Sequence, residues 1–232
     1  MNIPIRRNDN CVEQFVTCTQ MIGTPISVFV ASGRKNAVAS TTLSMAMDHV
    51  VIDIETKNTF ADVGRDNFRG LEVSLVGLYS YNQDKYIAFE EDELAAVGDM
   101  LKNAGMIIGF AITRFDLPVL AKHYDFDLFS VPHIDILDEI ELASGRRIGL
   151  DLLAKENIGL GKTGHGLEAA QLYSEGKMDE LKSYCLNDVK ITKELYDLAR
   201  KQGHLMVPQR NNAESVRVPL DWSEKLLYQR LF

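Results

Sequence analysis

His49-Val-Val-Ile-Asp-Ile-Glu55 opens the regular part of this 232-residue chain. Its Val and Ile residues have the character of a strand buried at the centre of a sheet. Two carboxylates, Asp53 and Glu55, interrupt that apolar run. Side chains two apart on a strand share a face, so the pair converges at about 7 Å along the backbone. Burying like charges side by side is costly unless a cation neutralises them. Two readings follow: a frayed strand end open to water, or an acidic site built into the sheet.

On the C-terminal side the pattern stays regular. Residues 71–79 and 85–89 read as two further strands, and the Asn82-Gln83-Asp84 turn between them predicts an antiparallel hairpin. Asp92 is placed to cap an amphipathic helix with Leu94, Val97, Met100 and Leu101 on its apolar side. Residues 106–110 form a short buried strand, and residues 115–124 read as helix with Pro118 in the first turn. A mostly helical, Gly-punctuated stretch follows. Residues 177–202 give the longest helix signal, which Gly203 stops. This order of three strands, helix, strand and further helices predicts an α/β fold, a mixed β-sheet flanked by helices.

On the N-terminal side, residues 1–47 show no sustained period of 2 or 3.6. Arg6-Arg7 and the Ser/Thr-rich stretch from Ser40 resemble a targeting peptide in composition, but Asp9 and Glu13 interrupt it and no long apolar core follows. The expected organisation is a poorly ordered extension over 1–47 and one folded domain over 48–232, with Met45 or Met47 as a possible biological start.

Composition narrows the function classes without choosing one. A chain with 46% hydrophobic and 25% charged residues is an ordinary globular protein, and no apolar run reaches the span of a bilayer. Three cysteines (Cys11, Cys18, Cys185) make an odd set without the companions of a zinc site or a disulfide framework, so a reducing cytoplasm is the expected location. The net charge of −8 argues against coating nucleic acid by bulk attraction. It leaves room for an enzyme that sets divalent cations between its carboxylates and a phosphate.

Two further segments carry acidic groups at unexpected places. Asp116, in Phe115-Asp116-Leu117-Pro118, either caps the following helix or joins the acidic pair of the first strand. In the long helix, Met178, Leu181, Cys185, Thr192, Leu195 and Ala199 are compatible with one buried stripe, and Asp188 falls on it. Tyr184 precedes Asp188 by one turn and shares its face.

Asp53-x-Glu55, Phe115-Asp116 and Tyr184-Cys-Leu-Asn-Asp188, in this order, resemble the three motifs of the DEDD exonuclease superfamily with the ribonuclease H-like fold. Tyr184, with Ser183 where the histidine-bearing subgroup has His, places the resemblance in the tyrosine-bearing subgroup. It is most similar to bacterial exonucleases related to the proofreading domain of family-B DNA polymerases. The resemblance runs over residues 49–222 and includes the 150–154 helical stretch and the Gly-flanked turn at 162–166. It implies 3′-5′ exonuclease activity on single-stranded nucleic acid or 3′ ends, DNA before RNA, with nucleoside 5′-monophosphates as products. It further implies two Mg2+ or Mn2+ ions held by Asp53, Glu55, Asp116 and Asp188, with Tyr184 orienting the attacking water. One departure stands out: the family's second motif opens with Asn ahead of Phe-Asp, and here that position is Ala111. No ligand is lost, so the departure bears on efficiency or substrate preference. The rival reading is a ribonuclease H-like nucleic-acid-binding module with weak or no turnover.

Arg114, Lys162 and His165 are candidates for touching the nucleic-acid backbone, or else incidental surface charge. His49, His123, His133 and His204 read as structural. Because residues 1–47 present no periodic apolar face, a chain beginning at Met47 is expected to stay soluble and to melt at the temperature of the full chain; a large drop in either property contradicts the expectation.

Overall fold

The computed structural model describes residues 47–161, 166–209 and 214–222; the N-terminal extension, Lys162 and His165 lie outside the described residues. Five strands, β1 (Asp48–Thr56), β2 (Val73–Ser80), β3 (Lys85–Glu90), β4 (Ala104–Gly109) and β5 (His133–Asp135), form one mixed sheet in the order β3-β2-β1-β4-β5. The Val/Ile run is thus the middle strand, as its composition predicts. It pairs antiparallel with β2 and parallel with β4. The expected β2–β3 hairpin is present, and Asp84 takes a left-handed conformation in its turn, which a short polar side chain tolerates.

Helices cover both faces because the strands are apolar on both. Val50, Ile52 and Ile54 of β1 pack with α2 (Leu94–Lys102) and α3 (Asp116–Ala121) through Val97, Leu101, Leu117 and Leu120. On the opposite face, Val51 of β1 and Met106 and Ile108 of β4 pack with the long helix, through Val189 and Leu195. Before α2, α1 (Phe60–Val63) forms one turn after β1, with Thr59 as its cap. After β5 come α4 (Ile136–Ser144), α5 (Leu150–Ile158), α6 (Gly166–Ser174) and α7 (Met178–Gln202). Gly203, with φ of 73°, ends α7 by donating its N–H to the Ala199 carbonyl.

Two local expectations change, and a strand pair forms where the sequence pattern assigns no element. Asp92 does not cap α2: it lies in a 3-10 turn, Glu91–Glu93, where the Glu90 N–H donates to the Glu93 carboxylate at 2.9 Å. Strand β5 emerges from the stretch read as mostly helical, too short at three residues to show a period. A second antiparallel pair, β6 (His204–Pro208) and β7 (Ser215–Pro219), follows α7.

The end of β4 shapes the segment that carries Asp116. A Cβ on Gly109 would lie 2.1 Å from Ile112 Cγ2 and 3.2 Å from the Ile52 carbonyl, and Ile112 is fully buried. Gly109→Ala is therefore expected to lower stability by about 1–3 kcal/mol, the usual cost of overpacking. Urea unfolding checks this, and an unchanged midpoint contradicts it.

Candidate active site

Alternation along β1 sends Val51, Asp53 and Glu55 to the face covered by α7, while Val50, Ile52 and Ile54 take the other. Glu55 is buried and Asp53 half-buried, so the reading as a frayed end in solvent does not hold. The stripe of α7 meets them: Leu181, Tyr184, Cys185, Asp188, Thr192 and Leu195 are all buried. Met178, expected on the same stripe, is only partly covered.

Asp116 arrives from a third segment. It stands at the first position of α3, but its carboxylate serves β1, where Oδ1 accepts the Ile54 N–H at 3.1 Å. Its placement depends on the turn before it. The Asp135 carboxylate, at the end of β5, accepts from the Ala111 N–H at 2.8 Å and the Thr113 N–H at 2.9 Å, and also from Leu137 and Asp138 at the start of α4. Four donors on one buried carboxylate fix the turn rigidly. Ala111 sits in that turn with φ of 64°, in the left-handed region.

The electrostatics show that these groups share one space. The Asp116 carboxyl is pushed well above the ordinary carboxylate range, first by burial and next by the neighbouring Asp53 carboxylate. The Tyr184 phenol is pushed far up by burial and then by Asp188, Glu55 and Asp53, so it keeps its proton. Its buried hydroxyl has no hydrogen-bond partner among the described residues. Asp53, Glu55, Tyr184 and Asp188 thus meet between β1 and α7, and Asp116 reaches the same strand from α3 through the Ile54 N–H, close enough to Asp53 to feel its charge.

Arg114 is held by Asp138 at 2.9 Å and Glu141 at 2.6 Å, which ties the turn to α4. His133 and His204 make local contacts to the Val131 and Gln202 carbonyls. Sequence reasoning missed Asp135 as the clamp of the Asp116 turn. It also took Cys185 only as one residue of an apolar stripe, whereas its sulfur and one carboxylate oxygen each of Asp53 and Glu55 lie within 4.8 Å of one another.

A donor set of four carboxylates suits an octahedral, oxygen-preferring ion such as Mg2+ or Mn2+. The buried, mutually repelling charge and the unpartnered Tyr184 hydroxyl beside it fit such an ion. The raised Asp116 has a consequence for stability. A carboxyl whose folded pKa lies above its unfolded value stabilises the fold fully below the unfolded value, near 3.8, and loses that contribution as pH rises through the folded value. In chelator, the melting temperature is expected to fall across this upper range, and Asp116→Asn is expected to flatten the fall. A pH profile identical in the two proteins contradicts the shared site.

The comparisons agree with this architecture. Residues 50–200 match the family model of the RNase_H superfamily, which takes in all of the acidic residues above. Among solved structures, the family B DNA polymerase from the hyperthermophilic archaeon Pyrobaculum calidifontis matches with a TM-score of 0.52 and 17% identity. That match covers 66% of this chain and only 24% of the polymerase, and at this identity it speaks for the fold alone. No curated protein matches. With a family model spanning more than half of its length and a mixed five-stranded sheet flanked by helices, the chain belongs to the RNase_H superfamily.

Proposed function

We propose that this protein is a metal-dependent 3′-5′ exonuclease that hydrolyses single-stranded nucleic acid to nucleoside 5′-monophosphates. One observation carries the reading: Asp53 and Glu55 of β1, Asp116 of α3 and Asp188 of α7 gather with a buried phenol about the same stretch of the central strand. Direction and product polarity rest on the resemblance of the three motifs to the tyrosine-bearing exonucleases. The preference for DNA rests on the same resemblance.

Asp53, Glu55, Asp116 and Asp188 would hold two Mg2+ or Mn2+ ions. Bound there, the pair supplies an activated water and charge to stabilise the leaving oxygen. Tyr184 contributes position rather than basicity. Its phenol stays protonated, so it offers an O–H or a lone pair to orient the attacking water and does not remove a proton at neutral pH. Burial and the neighbouring Asp53 carboxylate oppose ionisation of Asp116 and a bound cation would favour it, which couples ion binding to ionisation of the site.

The groove that begins at Lys57, just past Glu55, is lined by Lys57, Arg69, Lys122 and His123, but also by Glu72 and Glu91. Lys57 is already paired with both carboxylates. Phosphate is drawn in by the ions of the site, in keeping with the net charge of −8.

The test uses labelled single-stranded DNA and RNA of equal sequence, each with magnesium, manganese or chelator. Stepwise release of mononucleotides from the 3′ end, dependent on metal and abolished in Asp188→Asn, is the expected result. Binding without turnover in either metal instead supports the non-catalytic module, the reading favoured by Ala111 in place of Asn. Tyr184→Phe should keep metal binding and lose about 10²–10⁴ in rate, the usual worth of a proton-handling or orienting group. Unchanged turnover makes Tyr184 a core aromatic only.

A further inference from the structure

Cys185 stands between Tyr184 and Asp188 on α7 and belongs to none of the proposed ligands. It is nevertheless fully buried among them. Its single S–H faces two acceptors on Asp53, the backbone carbonyl at 3.5 Å and Oδ2 at 3.7 Å. The sheet makes room for this contact. Asp53 pairs across the β1–β2 ladder with Gly77, and directly paired residues of an antiparallel ladder present their side chains to the same face. Gly77 has no side chain, and the sulfur takes its place. A Cβ at residue 77 would lie 2.7 Å from Cys185 Sγ and 2.9 Å from Val189 Cγ2. A missing side chain beside Asp53 and a thiol filling the gap therefore seat α7 on the sheet at the level of the acidic cluster.

We infer that Cys185 is a positioning residue for Asp53: docked in the slot left by Gly77, its thiol fixes the orientation of the Asp53 carboxylate and thereby the metal affinity of the site. The inference rests on the metal-dependent reading above. A hydrogen-bonding neighbour behind a ligand is a common determinant of ion affinity. Packing alone gives a different expectation, in which any group of suitable volume in the slot serves as well as the thiol.

The two are separated by four variants, each followed by thermal melting and by Mn2+ titration with calorimetry and electron paramagnetic resonance. Cys185→Ala and Cys185→Ser leave voids of similar size, so their difference isolates the donor. Cys185→Ala should weaken Mn2+ binding by about tenfold or more, in the range typical for losing a ligand's hydrogen-bonding partner, and Cys185→Ser should recover most of it. Gly77→Ala forces the sulfur out of its slot and should weaken binding while leaving every proposed ligand intact. In the Gly77→Ala/Cys185→Ala double variant the new methyl takes the place of the sulfur. Its melting temperature should return toward that of the wild type while its Mn2+ affinity stays low.

Recovery of affinity together with stability in the double variant overturns the inference and leaves Cys185 a packing residue. So does equal affinity in Cys185→Ala, Cys185→Ser and the wild type. A sulfur-to-cobalt charge-transfer band on loading the wild type with Co2+ overturns it differently, by making Cys185 a ligand. A wild type that binds no Mn2+ removes the metal-dependent reading itself, an outcome distinct from a wild type that binds and variants that bind equally well.

Discussion

Burial of like charge is the constraint around which the α7 side of the molecule is organised. Glu55, Asp116 and Asp188 are all buried, and Asp53 stands beside them half-covered. Three segments distant in sequence supply these groups, and none of them improves the apolar core by doing so. A carboxylate at the first position of α3 could have stayed at the surface as a cap. Instead it crosses to the middle strand, where burial together with Asp53 pushes its pKa well above the ordinary carboxylate range. A sequence that accepts this cost at four positions places function above stability at one site, as natural proteins do where they bind or react.

Sheet topology turns that cost into a usable geometry. Because β1 and β4 run parallel, their carboxyl ends lie at the same edge, and the turn leaving β4 emerges beside Asp53 and Glu55. An antiparallel β4 would deliver Asp116 to the opposite edge. Ligands of open α/β sheets generally sit outside the carboxyl ends of the strands for the same reason. Strand β5 extends the parallel set and ends in Asp135, whose four hydrogen bonds tie the Asp116 turn to α4. The antiparallel β2 contributes differently: at Gly77 it offers bare backbone, onto which α7 settles closely.

Much of this was legible in the sequence because it depends on local pattern. The Val/Ile run announced a central strand, and two carboxylates of the same parity announced a shared face. The stripe of α7 showed that Asp188 would be turned inward with Tyr184. What remained hidden depends on pairing and distance. His133–Asp135 is too short to carry a period, so Asp135 was not seen as the clamp of a turn more than twenty residues earlier. Nothing local marks Gly77, since only the ladder register sets it beside Asp53. For the same reason the thiol of Cys185 passed as one more apolar stripe residue. Asp92 misled in the other direction, because a good capping residue is placed by the chain in a 3-10 turn before the helix begins.

Ala111 joins the sequence and the structure most directly. At the place where the exonuclease motif that this chain resembles has Asn, the backbone is left-handed, a conformation that Asn visits routinely and that costs an alanine roughly 1–2 kcal/mol. The conformation persists without the favoured side chain because it is imposed from outside: Asp135 holds the Ala111 N–H and, two residues on, the Thr113 N–H. Arg114, paired with Asp138 and Glu141, anchors the same turn to α4. The path from β4 to Asp116 is therefore set by main-chain hydrogen bonds and ion pairs that do not involve the side chain at residue 111. Replacing Asn by Ala removes a polar group from the surroundings of the site and adds modest backbone strain. It leaves the placement of Asp116 against Ile54, and with it the acidic cluster, intact.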